Sequence, residues 1–133
     1  MQYARPFSMD TTRAILEPGG KVTAKQVTPA FYEELDKEFD NFTGHSLVST
    51  FEFDADWPTW EIHPNGDEIV YLLSGDTDVV LWAPDAETTI RMDTPGTYVV
   101  VPRATWHTAR PRKPTTMLFI TPGEGTINAE SPG

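Results

Sequence analysis

The sequence has no cysteine, which excludes disulfides, thiolate zinc sites and cysteine nucleophiles and leaves the redox compartment open. Positive charge is scarce too: ten Lys and Arg stand against twenty Asp and Glu, a formal net charge of -10. So acidic a surface repels phosphate backbones and anionic lipid, so neither nucleic acid nor a membrane is expected as a partner. Long apolar runs are missing. The N-terminal stretch MQYARPFSMDTTRA has no continuous apolar segment of the secretory kind. No later segment approaches the roughly 20 apolar residues of a membrane-spanning helix. A cytoplasmic protein is the default expectation.

The 133 residues, 38% of them apolar, are a size and composition suited to one domain with one core. Twelve prolines and nine glycines cut the chain into short pieces rich in β-branched and aromatic residues, the pattern of an all-β sandwich or barrel. Ala14–Leu16 and Lys21–Lys25, joined by Glu17-Pro18-Gly19-Gly20, read as a hairpin. One helix is expected after it. Thr28 is placed to cap it and Pro29 to open it, and Phe31, Leu35 and Phe39 recur on one face among charged residues.

From Ser46 the apolar period changes to two, through Leu47, Ser49, Phe51 and Phe53. Further strands are expected at 60–63, 68–73, 77–82, 88–92, 98–101, 105–110 and 116–120. The organisation is then a hairpin and helix over 1–45 packed on a barrel over 46–122. Residues 123–133, rich in Gly, Pro and Ser with only Ile127 apolar, are expected to be a loose tail without chemistry.

The stretch WEIHPNGDE, residues 60–68, concentrates ionisable groups around a Pro-Asn-Gly turn. Glu61 and His63 are two apart on a strand and share a face; after the turn, Glu68 returns beside His63. The strand beyond Glu68 is apolar on both faces, and a carboxylate buried there needs a cation or several donors to offset its desolvation. A second segment, GTYVVVPRATWH, brings one more imidazole, His107, to the start of a later strand. Two imidazoles with a carboxylate suit zinc, iron, nickel, cobalt or manganese, and leave open positions for water or substrate.

Over roughly Leu47 to Pro122 the chain resembles the cupins, in particular the small single-domain cupins of the type-2 conserved barrel. His63, Glu68 and Gly75 fall on the second His, the Glu and the Gly of the first cupin motif; Gly96, Pro102 and His107 fall on the Gly, Pro and His of the second. Glu61 stands where the first His belongs, Ala104 replaces a Gly, and Pro111 stands in place of an Asn. The resemblance implies a double-stranded β-helix, a jelly-roll-like barrel with a divalent metal held inside by His63, Glu68 and His107, and frequently a homodimer. Glu61 then either binds the metal as a further ligand or stays free as a catalytic base or hydrogen-bond acceptor.

Other residues have plainer readings. Asp67 is a turn residue pointing away from the site, and His45 has a surface or capping role. The four tryptophans belong to core or interface, while Phe51, Phe53, Tyr98 and Val100 have the parity of a barrel wall. Arg103, Arg110, Arg112 and Lys113 form a solvated rim or an anchor for a carboxylated substrate. Two functions follow: a metal-dependent enzyme on a small organic molecule, of dioxygenase, isomerase or lyase type, or a non-catalytic small-ligand or metal sensor module.

Overall fold

The computed structural model describes residues 3–133. The expected hairpin forms from β1 (Thr12–Leu16) and β2 (Val22–Gln26). β1 also pairs with β3 (Ser46–Phe53), Ala14–Leu16 lying opposite Ser46–Val48, so the hairpin extends the barrel's own sheet. Helix α1 (Phe31–Glu38) begins two residues later than its sequence signals suggest. Thr28 does not cap it; its hydroxyl bonds to the Glu34 carboxylate instead. Phe31 and Leu35 are buried with Ile15, Phe42 and Leu47 in a small core between helix and sheet. Lys25 ties the helix to β2 through Glu34 (3.4 Å) and Glu38 (3.2 Å).

The barrel is completed by β4 (Trp60–Ile62), β5 (Glu68–Ala83), β6 (Ala86–Met92), β7 (Tyr98–Val101), β8 (His107–Thr121) and β9 (Ile127–Ala129). Four of the strands expected from sequence are thus two long ones, β5 and β8, antiparallel along their length. Pro111 and Pro114 argued for a break in β8, since proline donates nothing to a ladder. The strand continues because the register with β5 is irregular between Leu72 and Thr77, close to where those prolines lie. Gly75 makes the bend possible: it has φ 109°, and a Cβ there would come within 2.5 Å of Thr115 Oγ1 and 2.6 Å of the Pro114 carbonyl. This is the glycine of the first motif.

The main core lies inside the barrel, where Phe53, Val70, Leu72, Val79, Met92, Val101, Met117 and Phe119 pack together. Strand parity places Val99 and Val101 toward it, so Tyr98 (61% exposed) and Val100 (47% exposed) face outward and are not barrel-wall residues. Phe53 is buried as expected, whereas Phe51 is half exposed at the cavity's edge. The segment 123–133 is not a loose tail. It carries β9, which pairs with β4 by setting Trp60 opposite Ala129 and Glu61 opposite Asn128. Its one apolar residue is not what holds it; the backbone ladder along β4 does. No helix among the described residues is long and apolar enough to cross a membrane.

Candidate metal centre

The two motifs meet at the strand ends. Glu61 is on β4, His63 follows it, Glu68 opens β5 and His107 opens β8, directly opposite Glu61 in the antiparallel ladder. Two hydrogen bonds from backbone N–H groups lock the intervening turns. The Ala104 N–H donates to the His63 carbonyl (3.0 Å), and the Arg103 N–H donates to Asp67 Oδ1 (2.7 Å). Asp67 is therefore a turn residue, as read. Ala104 sits at φ 55°, a left-handed conformation that explains why a glycine is the usual residue at that point of the motif.

His63, Glu68 and His107 are all buried, with exposures of 4%, 2% and 1%. Glu68 lies 3.3 Å from His63 Nε2 and 3.1 Å from His107 Nε2. Glu61 Oε2 stands 3.7 Å and 3.9 Å from the same two nitrogens. The far side of each ring decides its tautomer. His107 Nδ1 faces the Thr105 carbonyl at 3.1 Å, an acceptor only, so Nδ1 carries a hydrogen. His63 Nδ1 faces the Thr126 hydroxyl at 2.8 Å, and that hydroxyl already donates its hydrogen to the Gly123 carbonyl at 2.9 Å. With Nδ1 protonated, each Nε2 faces the carboxylates either as a bare lone pair on a neutral ring or as an N–H on a charged one. Neither Nε2 nor Glu68 Oε1 has a hydrogen-bond partner, although all three atoms are buried. Lone pairs facing a buried carboxylate at such distances repel unless a cation lies among them.

The proton affinities reflect the same contacts. Burial pushes the Glu68 carboxyl up, but the His107 and His63 imidazoles beside it outweigh burial and hold it at about 2. Burial lowers His107, and Glu68 more than reverses this, leaving its affinity for a proton raised. Glu61 is raised, chiefly by burial, with the imidazoles only partly opposing it. The remaining Glu68 oxygen accepts from the Thr121 hydroxyl at 2.6 Å. Glu61, His63 and His107 offer donor atoms all within 4.8 Å of one another, a spacing that one metal ion can span.

The centre opens into a cavity of about 650 Å³ lined by Glu61, His63 and Glu68 together with Phe51, Trp57 and Phe119. The sequence reading missed Thr121 and Thr126, which brace the site, and Arg13 and Trp57, which line the cavity. Nothing in their sequence context marks them. His45 is buried rather than exposed, bonded through Nδ1 to the Thr43 carbonyl (2.8 Å) and packed on Phe39 and Phe42 in the small core, apart from the site. The basic cluster is not at the cavity either: Arg112 pairs with Asp78 (2.7 Å) and Asp76 (3.3 Å), and Arg110 lies over the Trp60 ring.

Comparison with known proteins finds no matching family model and no matching curated protein. Solved structures do match. An oxalate decarboxylase of Bacillus subtilis superposes with a TM-score of 0.52 at 23% identity, over 71% of this chain and 26% of that one. An oxalate oxidase superposes with a TM-score of 0.51 at 20% identity, over 62% of this chain and 45% of that one. The chain thus spans less than half the length of either. A cupin-2 domain protein from Shewanella frigidimarina is similar at a TM-score of 0.47 and 17% identity, over 58% of this chain and 70% of that one. The chain shares the fold of the oxalate decarboxylase and oxalate oxidase structures, the barrel that the two motifs implied.

Proposed function

We propose that the chain is a metal-dependent enzyme acting on a small organic molecule, of dioxygenase, isomerase or lyase type. His63, Glu68 and His107 would hold one divalent ion and Glu61 would complete its shell. The observation that carries this reading is the pair of buried Nε2 atoms without partners, aimed at a buried, ionised carboxylate. A donor set of two imidazoles and two carboxylates suits iron, manganese, cobalt, nickel or zinc. The Mn(II) centres named for the Bacillus subtilis oxalate decarboxylase support manganese as the first ion to try.

Bound there, the ion supplies Lewis acidity or an oxygen-binding centre. The chain's own residues do the rest. Thr126 and the Thr105 carbonyl hold the imidazoles in the donor tautomer. Thr121 fixes the Glu68 carboxylate. Trp57 and Phe119 keep water from one wall of the cavity. Glu61 has a side chain 33% exposed and a raised proton affinity. These properties favour a second role for it, passing a proton between substrate and solvent.

Metal analysis of protein purified without added metal tests the reading. About one transition ion per chain is expected, and its identity separates oxygen chemistry from isomerase or lyase chemistry. A chain that arrives empty and takes up neither Mn(II) nor Fe(II) on dialysis would overturn it.

A further inference from the structure

In a chain of net charge -10 with ten Lys and Arg, three of these cations are held by carboxylates among the described residues. Lys25 pairs with Glu34 and Glu38, Arg91 with Asp76, and Arg112 with Asp76 and Asp78. Arg13 on β1 is set apart by where it lies. It lines the same cavity as Glu61, His63 and Glu68, yet makes no ion pair with any described carboxylate. One arm of its guanidinium donates to the Tyr32 hydroxyl (3.2 Å), and its plane is steadied over the Phe31 ring, 4.9 Å from the centroid. Its Nε is buried with no hydrogen-bond partner.

Trp57 supplies a second donor of the same kind. Its ring packs on Phe53 and Phe119, with centroids 5.6 Å and 5.8 Å away, and it lines the cavity. Its Nε1 is also buried and without a partner. Buried N–H groups are nearly always satisfied, so two orphans on residues that line one cavity call for acceptor oxygens that a ligand brings. Leu47, Phe51 and Phe119 give the same cavity apolar lining.

We propose that the cavity binds a small organic monocarboxylate. Arg13 takes its carboxylate, the Trp57 N–H donates to an oxygen of the same molecule, and the Trp57 and Phe119 rings lie against its apolar body. The planar guanidinium fork matches a carboxylate, and Arg13 is a single cation in a cavity that Asp36, Glu61 and Glu68 also line, which disfavours a doubly charged phosphate. This deepens the enzyme reading above and rests on that cavity being the substrate site. It also replaces the Arg103–Lys113 cluster as the carboxylate anchor.

The test is calorimetric titration of metal-free and Mn(II)-loaded protein with acid and amide pairs: butanoate and butanamide, benzoate and benzamide, 3-phenylpropanoate and 3-phenylpropanamide. At least one acid should bind roughly tenfold more tightly than its amide, the discrimination expected of a charged hydrogen bond. Arg13→Met, which keeps the stem, should abolish that preference with metal content unchanged, and Arg13→Lys should retain part of it. Trp57→Phe, which removes the N–H and keeps a ring, should weaken the acid in a protein whose fold does not depend on Arg13. No preference for any acid in the wild type, or a preference untouched by both Arg13→Met and Trp57→Phe, overturns the proposal. Because the preference is read in metal-free protein as well, an acid-selective chain that binds no metal would sink the metal reading and leave this one standing.

Discussion

His63 Nδ1 stands 2.8 Å from the hydroxyl of Thr126, a residue sixty-three positions later in the chain, and that hydroxyl is already spent as a donor to the Gly123 carbonyl. The arrangement compels His63 to donate from Nδ1 and leaves Nε2 as the atom that can ligate a metal. Thr126→Val removes the acceptor while keeping the shape of the side chain. Its metal affinity should fall by roughly 10- to 100-fold, the usual effect of losing the group that orients a ligating histidine. Thr126→Ser should bind as the wild type does. Equal dissociation constants for wild type and Thr126→Val, measured by chelator competition, would remove Thr126 from the account.

The pH dependence of stability should differ in sign between metal-free and metal-loaded protein. Glu68 is depressed to about 2 from 4.5 in the folded chain, so it stabilises above its ordinary value and that contribution disappears as pH falls toward about 2. His107 is raised above 6.5, so its contribution is present below 6.5 and is lost as pH rises through the raised value. The raised Glu61 acts in the same direction, its contribution also lost as pH rises. The melting temperature of metal-free protein should therefore decline from about pH 6 to about pH 9. With Mn(II) bound the ion replaces the proton, and the melting temperature should rise over the same interval. A rising profile without metal would contradict the assignment.

Glu61→Gln separates a ligand from a bystander. The substitution removes one anionic donor from the spacing shared with His63 and His107. Faster release of metal to a chelator is expected, with a turnover loss of roughly 10²- to 10⁴-fold if the carboxylate also moves a proton. Unchanged release and unchanged turnover would make Glu61 a surface group.

Two sheet edges bear on assembly. β2 and β7 each pair with one strand only, and Val22, Tyr98 and Val100 on them are exposed at 47%, 61% and 47%. Open edges with apolar side chains favour association, and a homodimer is expected. Sedimentation at micromolar concentration should show the dimer, and Tyr98→Lys with Val100→Lys should weaken it. A wild-type monomer would contradict it.

The clustering of Glu61, His63, Glu68 and His107 was legible from sequence because these residues obey local rules. Glu61 and His63 share strand parity, the Pro64-Asn65-Gly66 turn returns Glu68 to them, and His107 opens the strand after the Pro102–Ala104 turn. What surrounds it was not, because it depends on pairings distant in the chain. Thr126 reaches His63 only through the β9–β4 ladder, and Arg13 reaches the cavity only because β1 joins β3. Low hydrophobicity made 123–133 read as a free tail, but backbone hydrogen bonding needs no apolar side chains. The misreading of Tyr98 and Val100 was one of parity: a single strand gives the alternation, and the face toward the core is set by its neighbours.

Equilibrium dialysis of wild type and His107→Ala against the same free Mn(II) concentration tests the metal centre most directly. His107 is 1% exposed, and its Nε2 faces Glu68 at 3.1 Å with no hydrogen-bond partner. Wild type should bind about one ion per chain, and a folded His107→Ala should bind less than about a tenth as much, since a site of three or four protein ligands rarely survives the loss of an imidazole. Full occupancy in His107→Ala, or none in the wild type, would contradict a metal held by His63, Glu68 and His107.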